Sequence, residues 1–186
     1  MGFVHKPSLY VVASTLLFIA TFFTFACTNV TADLVGSICA KARRPDTCTR
    51  ALRSDPRTKT ADMKELATIA IEVSMKHAKT SHALVESLLK GAKNPESKSR
   101  YSSCLDNYED SVEALGRCLD FLKVKDYGSL DSYASAALDF PETCDQDFED
   151  AAARESGKLK AASTKLQDLC DVVLIVSSKL SGRVLE

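Results

Sequence analysis

Seven cysteines and three histidines are the residues of this 186-residue chain best equipped to do chemistry. Their spacing removes most of the options. His77 and His82 stand five apart on a segment with helical periodicity, about 140° around the axis, so they cannot share a metal ion. His77 falls on the apolar stripe of that segment, where a histidine reads as a satisfied core residue rather than a general base. There is no Glu-x-x-His pair of the kind a di-iron bundle uses, no Cys-x-x-Cys and no phosphate-cradling glycine motif. Asp145, Asp147, Glu149 and Asp150 imitate a calcium loop in outline only. The sixth place of such a loop should be glycine and is Asp150, and the last, a chelating glutamate, is Ser156. These acids read instead as complements to the dipole of a helix starting beside them. No metal, no cofactor and no catalytic residue is expected.

The cysteines remain, as cross-links if the compartment permits. Met1–Tyr10 carries Lys6 and no acid, and Tyr10–Ala26 is uncharged and mainly apolar. That pattern is the n-region and h-region of a signal peptide, assigned to residues 1–32 with cleavage after Ala26 or Ala32. The Asn29-Val30-Thr31 sequon survives only the earlier cut. The expectation is a secreted, extracellular protein with no membrane association after cleavage, in which disulfides are the default state of cysteine. With 24 basic and 25 acidic residues the net charge is −1, which gives no electrostatic footprint for nucleic acid.

Residues 33–55 hold Cys39 and Cys48 around Arg44-Pro45-Asp46. Pro45 forbids one continuous helix, so this segment is predicted to fold as a hairpin of two short helices, an arm outside the main core. Four amphipathic stripes follow Pro56. The first, about 60–90, runs through Met63, Leu66, Ala70, Val73, His77, Leu84 and Leu88, opened by Asp62 and Glu65 at capping-box spacing and stopped by Gly91 and Pro95. The second, about 99–123, includes Cys104, Tyr108, Leu115, Cys118 and Leu122. A shorter third begins near Ser129, turns Leu130, Tyr133, Ala134 and Ala137 inward, and is closed by Pro141. The fourth runs from Phe148 through Leu159, Leu166 and Val173 to Leu180. No segment alternates convincingly like a strand. Short connections make the helices antiparallel neighbours, so the predicted fold is all-α: an up-down-up-down four-helix bundle over 56–186, forming one domain with the N-terminal hairpin.

In that topology Cys104, near the start of the second helix, and Cys144, just past the end of the third, lie at the same end of the bundle. A bridge between them is predicted, and another between Cys39 and Cys48 across the Pro45 turn. Cys118 and Cys170 are predicted free. Counted from Cys104 and Phe148, they sit about 21 Å and 33 Å along parallel helices at 1.5 Å per residue, a mismatch beyond the roughly 7 Å a disulfide spans.

Several stretches carry a resemblance. They are Cys39 with Thr47-Cys48; Leu52-Arg53-Ser54-Asp55-Pro56-Arg57; Met63-Lys64-Glu65-Leu66-Ala67; Cys104-Leu105-Asp106-Asn107-Tyr108; and Ser135-Ala136-Ala137-Leu138 leading to Thr143-Cys144. In this order they make residues 34–180 resemble the plant invertase and pectin methylesterase inhibitor family. Lys125-Asp126-Tyr127-Gly128-Ser129 is similar to its branch containing tree-pollen allergens described as invertase inhibitors. The resemblance implies a four-helix bundle with an N-terminal hairpin and the same two bridges. It implies a protein that is not an enzyme, resides in the apoplast or cell wall, and occludes the active-site cleft of a carbohydrate-active enzyme in a one-to-one complex, often pH-sensitive. Pectin methylesterase is the first expected partner and acid invertase (beta-fructofuranosidase) the alternative. Invertase-blocking members often carry Pro-Lys-Phe where this chain has Tyr127, Gly128 and Ser129, and Arg44-Pro45-Asp46 replaces a tyrosine common before the second cysteine.

A cleft-blocking helix needs small and polar residues so that it can approach its partner closely. The third helix has them in Ser129, Ser132, Ser135 and Ala136, among Asp126 and Asp139, and these six are the candidate contact residues. The same small residues could instead serve tight packing inside the bundle. A remoter reading is a secreted helical ligand carrier, against which stand the filled stripes and the missing eight-cysteine pattern of lipid-transfer proteins. A secreted hydrolase using His77 is the third.

Overall fold

Residues 33–149 and 156–183 are described by the computed structural model; the expected signal peptide and the Asn29 sequon fall outside them. Among the described residues six α-helices follow in order: α1 (Leu34–Cys39), α2 (Pro45–Arg53), α3 (Met63–Gly91), α4 (Pro95–Val124), α5 (Tyr127–Gln146) and α6 (Gly157–Leu180). A 3-10 turn, Pro56–Lys59, joins α2 to α3. No strand occurs among the described residues.

Local chemistry explains the boundaries. The carboxylate of Asp62 accepts from Glu65 N–H at 2.8 Å, and the Asn94 side chain accepts from Ser97 N–H at 2.6 Å, each satisfying a donor the first helical turn cannot. Pro95 opens α4 rather than ending α3, because its missing N–H and fixed φ suit the first helical position. Asp55 caps the 3-10 turn, and the Arg57 guanidinium joins it at 2.6 Å to Glu72 of α3 at 2.5 Å. Arg57 holds the Asp55 carboxyl below the usual carboxylate range, chiefly by side-chain hydrogen bonding.

Only Lys125 and Asp126 link α4 to α5. The reversal is that short because Lys125 takes the left-handed conformation, φ 60°, while Asp126 already accepts from Ser129 N–H at 3.1 Å. A side chain in that conformation costs about 1–2 kcal/mol, which glycine avoids. Lys125→Gly is therefore expected to raise stability by about 0.5–1 kcal/mol, after allowance for the freer unfolded chain. A urea titration comparing midpoints at unchanged slope measures it, and an unchanged or lower midpoint contradicts the argument.

Around the bundle α3 packs on α4, α4 on α5, α5 on α6, and α6 back on α3. Leu66, Ile69, Leu115, Leu130, Leu159 and Leu166 fill the interior. Three expectations require correction. First, the arm is not outside the core. Val35, Ile38, Cys39, Cys48 and Leu52 are buried in the same apolar cluster as the bundle, and α1 and α2 pack on α6 while α2 also touches α3.

Second, Pro141 does not close the third helix, which continues to Gln146. Proline removes the N–H that Ala137 C=O would accept and should break the helix. Here Ser111 Oγ of α4, 3.0 Å from Asn107 C=O of its own helix, also reaches Ala137 C=O at 3.5 Å, so a buried hydroxyl stands where the proline lacks an N–H. One turn on, the buried Ser163 Oγ of α6 donates to Pro141 C=O at 2.9 Å and ties this stretch of α5 to its other neighbour.

Third, the fourth helix begins at Gly157, not Phe148. Phe148 is buried, but in the turn after α5, where its ring centroid lies 5.2 Å from that of Tyr101. The acids before it belong to the end of α5 instead of the head of α6. Asp145 is buried and meets Lys160 Nζ at 2.9 Å, and Asp147 caps α5.

Disulfides join Cys39 to Cys48 and Cys104 to Cys144, with Cα–Cα distances of 5.4 and 4.7 Å. Cys144 lies inside the last turn of α5 rather than beyond it. Cys118 and Cys170 are free and buried. The mismatch argued from a start at Phe148 lapses, because from Gly157 the rise to Cys170 is only about 20 Å, and Cys118 is near enough to influence the Cys170 thiol. Burial pushes the Cys118 thiol up to about 12 and that of Cys170 higher still. Since the thiolate is the reactive form, neither should react with iodoacetamide at pH 8 in the native protein, and both should react in guanidinium. Labelling of one under native conditions, read by mass spectrometry, would contradict this placement.

Candidate functional site

The six contact residues expected from sequence lie on α5 or immediately before it. At 100° per residue, Ser129, Ser132, Ser135, Ala136 and Asp139 share a face about 120° wide, and Tyr133 stands at its edge, widening it to about 160°. Ser132, Ser135 and Asp139 are exposed, while Ser129 and Ala136 are half-buried. Asp126 stands at the head of this face as the N-cap. Its carboxylate accepts from Ser129 N–H at 3.1 Å and from Ser129 Oγ at 2.7 Å, and these bonds hold the carboxyl below its ordinary range. Asp126 and Ser129 thus have a local task, fixing the first turn, whereas Ser132, Ser135 and Asp139 present side chains outward.

Tyr133 was expected to point inward and does not; it is 36% exposed. Its ring lies 5.2 Å from that of Phe121 on α4, tilted by 35°. The Arg117 guanidinium sits over both, 5.5 Å from the Phe121 centroid and 5.9 Å from that of Tyr133. Val124, 73% exposed, completes an apolar corner at this end of α4 and α5. Sequence reading missed this cluster because its members are on different helices. The signal was available in the short link, which folds α5 back along α4 and brings residues on either side of Lys125 together.

The rest of the molecule offers little chemistry. Among the described residues no group of three or more His, Cys, Asp or Glu could hold a metal ion. His77 is half-buried with Nε2 2.9 Å from Ala162 C=O, and burial lowers its pKa, opposed by that carbonyl and assisted by Lys165. It has the surroundings of a packed residue.

Comparison with known proteins bears on this arrangement. The family model described as "Plant invertase/pectin methylesterase inhibitor" matches residues 33–176, which takes in both bridges and the whole of α5. The chain belongs to that family. It is accordingly an enzyme inhibitor and not an enzyme. It is 41% identical over 149 residues to a pectinesterase inhibitor of Actinidia deliciosa, covering 80% of each chain. It is also 27% identical to the "Cell wall / vacuolar inhibitor of fructosidase 2" of Arabidopsis thaliana, over 92% of this chain and 96% of that one. A crystal structure of a mutant pectin methylesterase inhibitor from Arabidopsis superposes with a TM-score of 0.68 at 26% identity, covering 77% of this chain and 95% of the other. Within the inhibitor, no helix among the described residues is long and apolar enough to cross a membrane.

Proposed function

We propose that this inhibitor is secreted to the plant cell wall and blocks pectin methylesterase by seating the exposed face of α5 in the active-site cleft, one inhibitor per enzyme. The observation that carries the reading is that face itself. Small side chains at Ser132, Ser135 and Ala136 allow close approach, while Tyr133, backed by Phe121 and Arg117, stands beside them as an anchor. Tyrosine and arginine are the residue types in which binding energy concentrates at interfaces. The similarity to pectinesterase inhibitors favours the esterase as target. Acid invertase is the second reading, favoured by the near full-length match to a fructosidase inhibitor.

Titration of purified plant pectin methylesterase, and separately of acid invertase, with the oxidised protein between pH 5 and 7.5 tests both. Stoichiometric loss of esterase activity is expected. Tyr133→Ala should weaken that inhibition by about 2 kcal/mol, roughly thirtyfold in the inhibition constant, with helicity unchanged. Loss of invertase activity alone transfers the assignment to the second target, and inhibition of neither overturns the reading. Full potency of Tyr133→Ala removes the anchor.

A further inference from the structure

A cleft of about 930 Å³ opens between the arm and the bundle, lined by one face each of α2, α3 and α6. From α6 alone its wall extends from Gly157 to Leu169, a length of about 18 Å. In a ring of four helices the α3–α6 edge lies opposite the α4–α5 edge, so this cleft and the Tyr133 corner are on different sides of the molecule.

The cleft has a charge that the chain as a whole conceals. The net charge is −1, yet Arg44, Arg50, Lys76, Lys160 and Lys165 line the walls against the single carboxylate of Asp168. Arg44 Nε lies 3.4 Å from Asp168, and Lys160 is committed to Asp145. Arg50, Lys76 and Lys165 are exposed, and no carboxylate is recorded against them among the described residues. Like charges gathered in one concavity repel each other and raise the local concentration of anions. Between the cations stand the hydroxyls of Thr47, Ser54, Thr80 and Thr164, and the one ring among the lining residues is the half-buried imidazole of His77, held against Ala162 C=O. A single imidazole so held is no platform for a run of stacked bases, which disfavours single-stranded nucleic acid. An elongated trough of separated cations and hydroxyls matches a chain that repeats carboxylates and hydroxyls.

We propose that this cleft binds an acidic polysaccharide, a run of uronic acid units with free carboxylates. The choice of polyuronate rests on the proposed function in one respect: removal of methyl esters from pectin leaves such a chain. Carboxylates pair with Arg50, Lys76 and Lys165, and sugar hydroxyls with the threonines. Because the cleft is remote from the α5 face, the inhibitor can hold the polymer and its enzyme together, which retains it where de-esterification has already occurred.

The test uses the mature oxidised protein and a decamer of unesterified galacturonate, with binding followed by calorimetry at pH 6 and low salt. Binding is expected to fall at least tenfold between 20 and 200 mM NaCl as counterions compete. Neither the fully methyl-esterified decamer nor inorganic phosphate should bind comparably. Lys76→Ser/Lys165→Ser, and independently Arg50→Ser, should weaken binding by tenfold or more in total while leaving helicity and enzyme inhibition unchanged; Tyr133→Ala should do the converse. Equal affinity for the esterified decamer, or unaltered binding by these variants, overturns the proposal, and preference for a single-stranded DNA of equal charge reassigns the cleft. If the protein inhibits neither enzyme yet binds polyuronate, the target assignment fails and the cleft stands.

Discussion

Replacing Cys104 and Cys144 together by alanine is expected to cost about 4 kcal/mol of stability, from loop-closure entropy over their 40-residue separation. The Cys39–Cys48 bridge, closing only nine residues, is worth about 2.5 kcal/mol on the same basis. Domains of this size have roughly 5–15 kcal/mol in all, so loss of the longer bridge brings the fold near its threshold. The effect should concentrate in α5, the shortest bundle helix, whose last turn contains Cys144. Asp145–Lys160 and Ser163–Pro141 still hold that end to α6, so partial rather than complete loss of helicity is expected at 25 °C. Circular dichroism and a urea titration of Cys104→Ala/Cys144→Ala measure the loss, and target inhibition should decline in parallel. Native helicity, an unchanged midpoint and full potency would show the bridge dispensable to the surface it was argued to hold.

Ile38→Ala should destabilise the whole molecule by about 3 kcal/mol, in the range for emptying a fully buried aliphatic site. The value separates two pictures of the arm. If α1 and α2 were an appendage, the substitution would loosen the arm and leave the bundle transition where it was. Because Ile38 belongs to the same apolar cluster as Leu66 and Leu166, one cooperative transition should move to lower urea. Two separated transitions, or a shift below about 1 kcal/mol, would restore the appendage. The Asp55–Arg57–Glu72 contacts contribute less, being partly exposed ion pairs.

The bundle was legible because each stripe repeats at three and four residues for long enough to define a face. Leu159, Leu166 and Val173 leave little choice about α6, and Asp62 marks a helix start through plain cap chemistry, whereas the Asn94 cap was passed over with Pro95 read as a stop, which set the start of α4 four residues late. The errors share a cause, since each depends on a neighbour that one segment does not reveal. Phe148 continues the α6 series in register but is buried from a turn, so apolar spacing alone placed the helix start nine residues too early. Pro141 carries a stop signal that the packing of α4 and α6 overrides, Ser111 facing the Ala137 carbonyl and Ser163 fixing that of Pro141. Val35, Ile38 and Leu52 are too few to announce a core face, and their burial depends on α6 lying beneath them. Tyr133 fits the inward stripe of α5 by spacing, yet turns outward onto Phe121. The cationic cleft was hidden most completely, because Arg50, Lys76 and Lys165 come from three distant segments of a nearly neutral chain.

Pro141 and Ser111 also constrain the order in which descendants of this sequence can change. A lineage that first exchanges Pro141 for alanine regains an N–H for the Ala137 carbonyl, after which Ser111 is free to drift. A lineage that loses Ser111 first strands that carbonyl in the interior, at a cost of about 1–3 kcal/mol. The path is therefore directional: proline can leave before its serine, but the serine cannot cheaply leave before the proline. Two positions on two helices consequently evolve as one character.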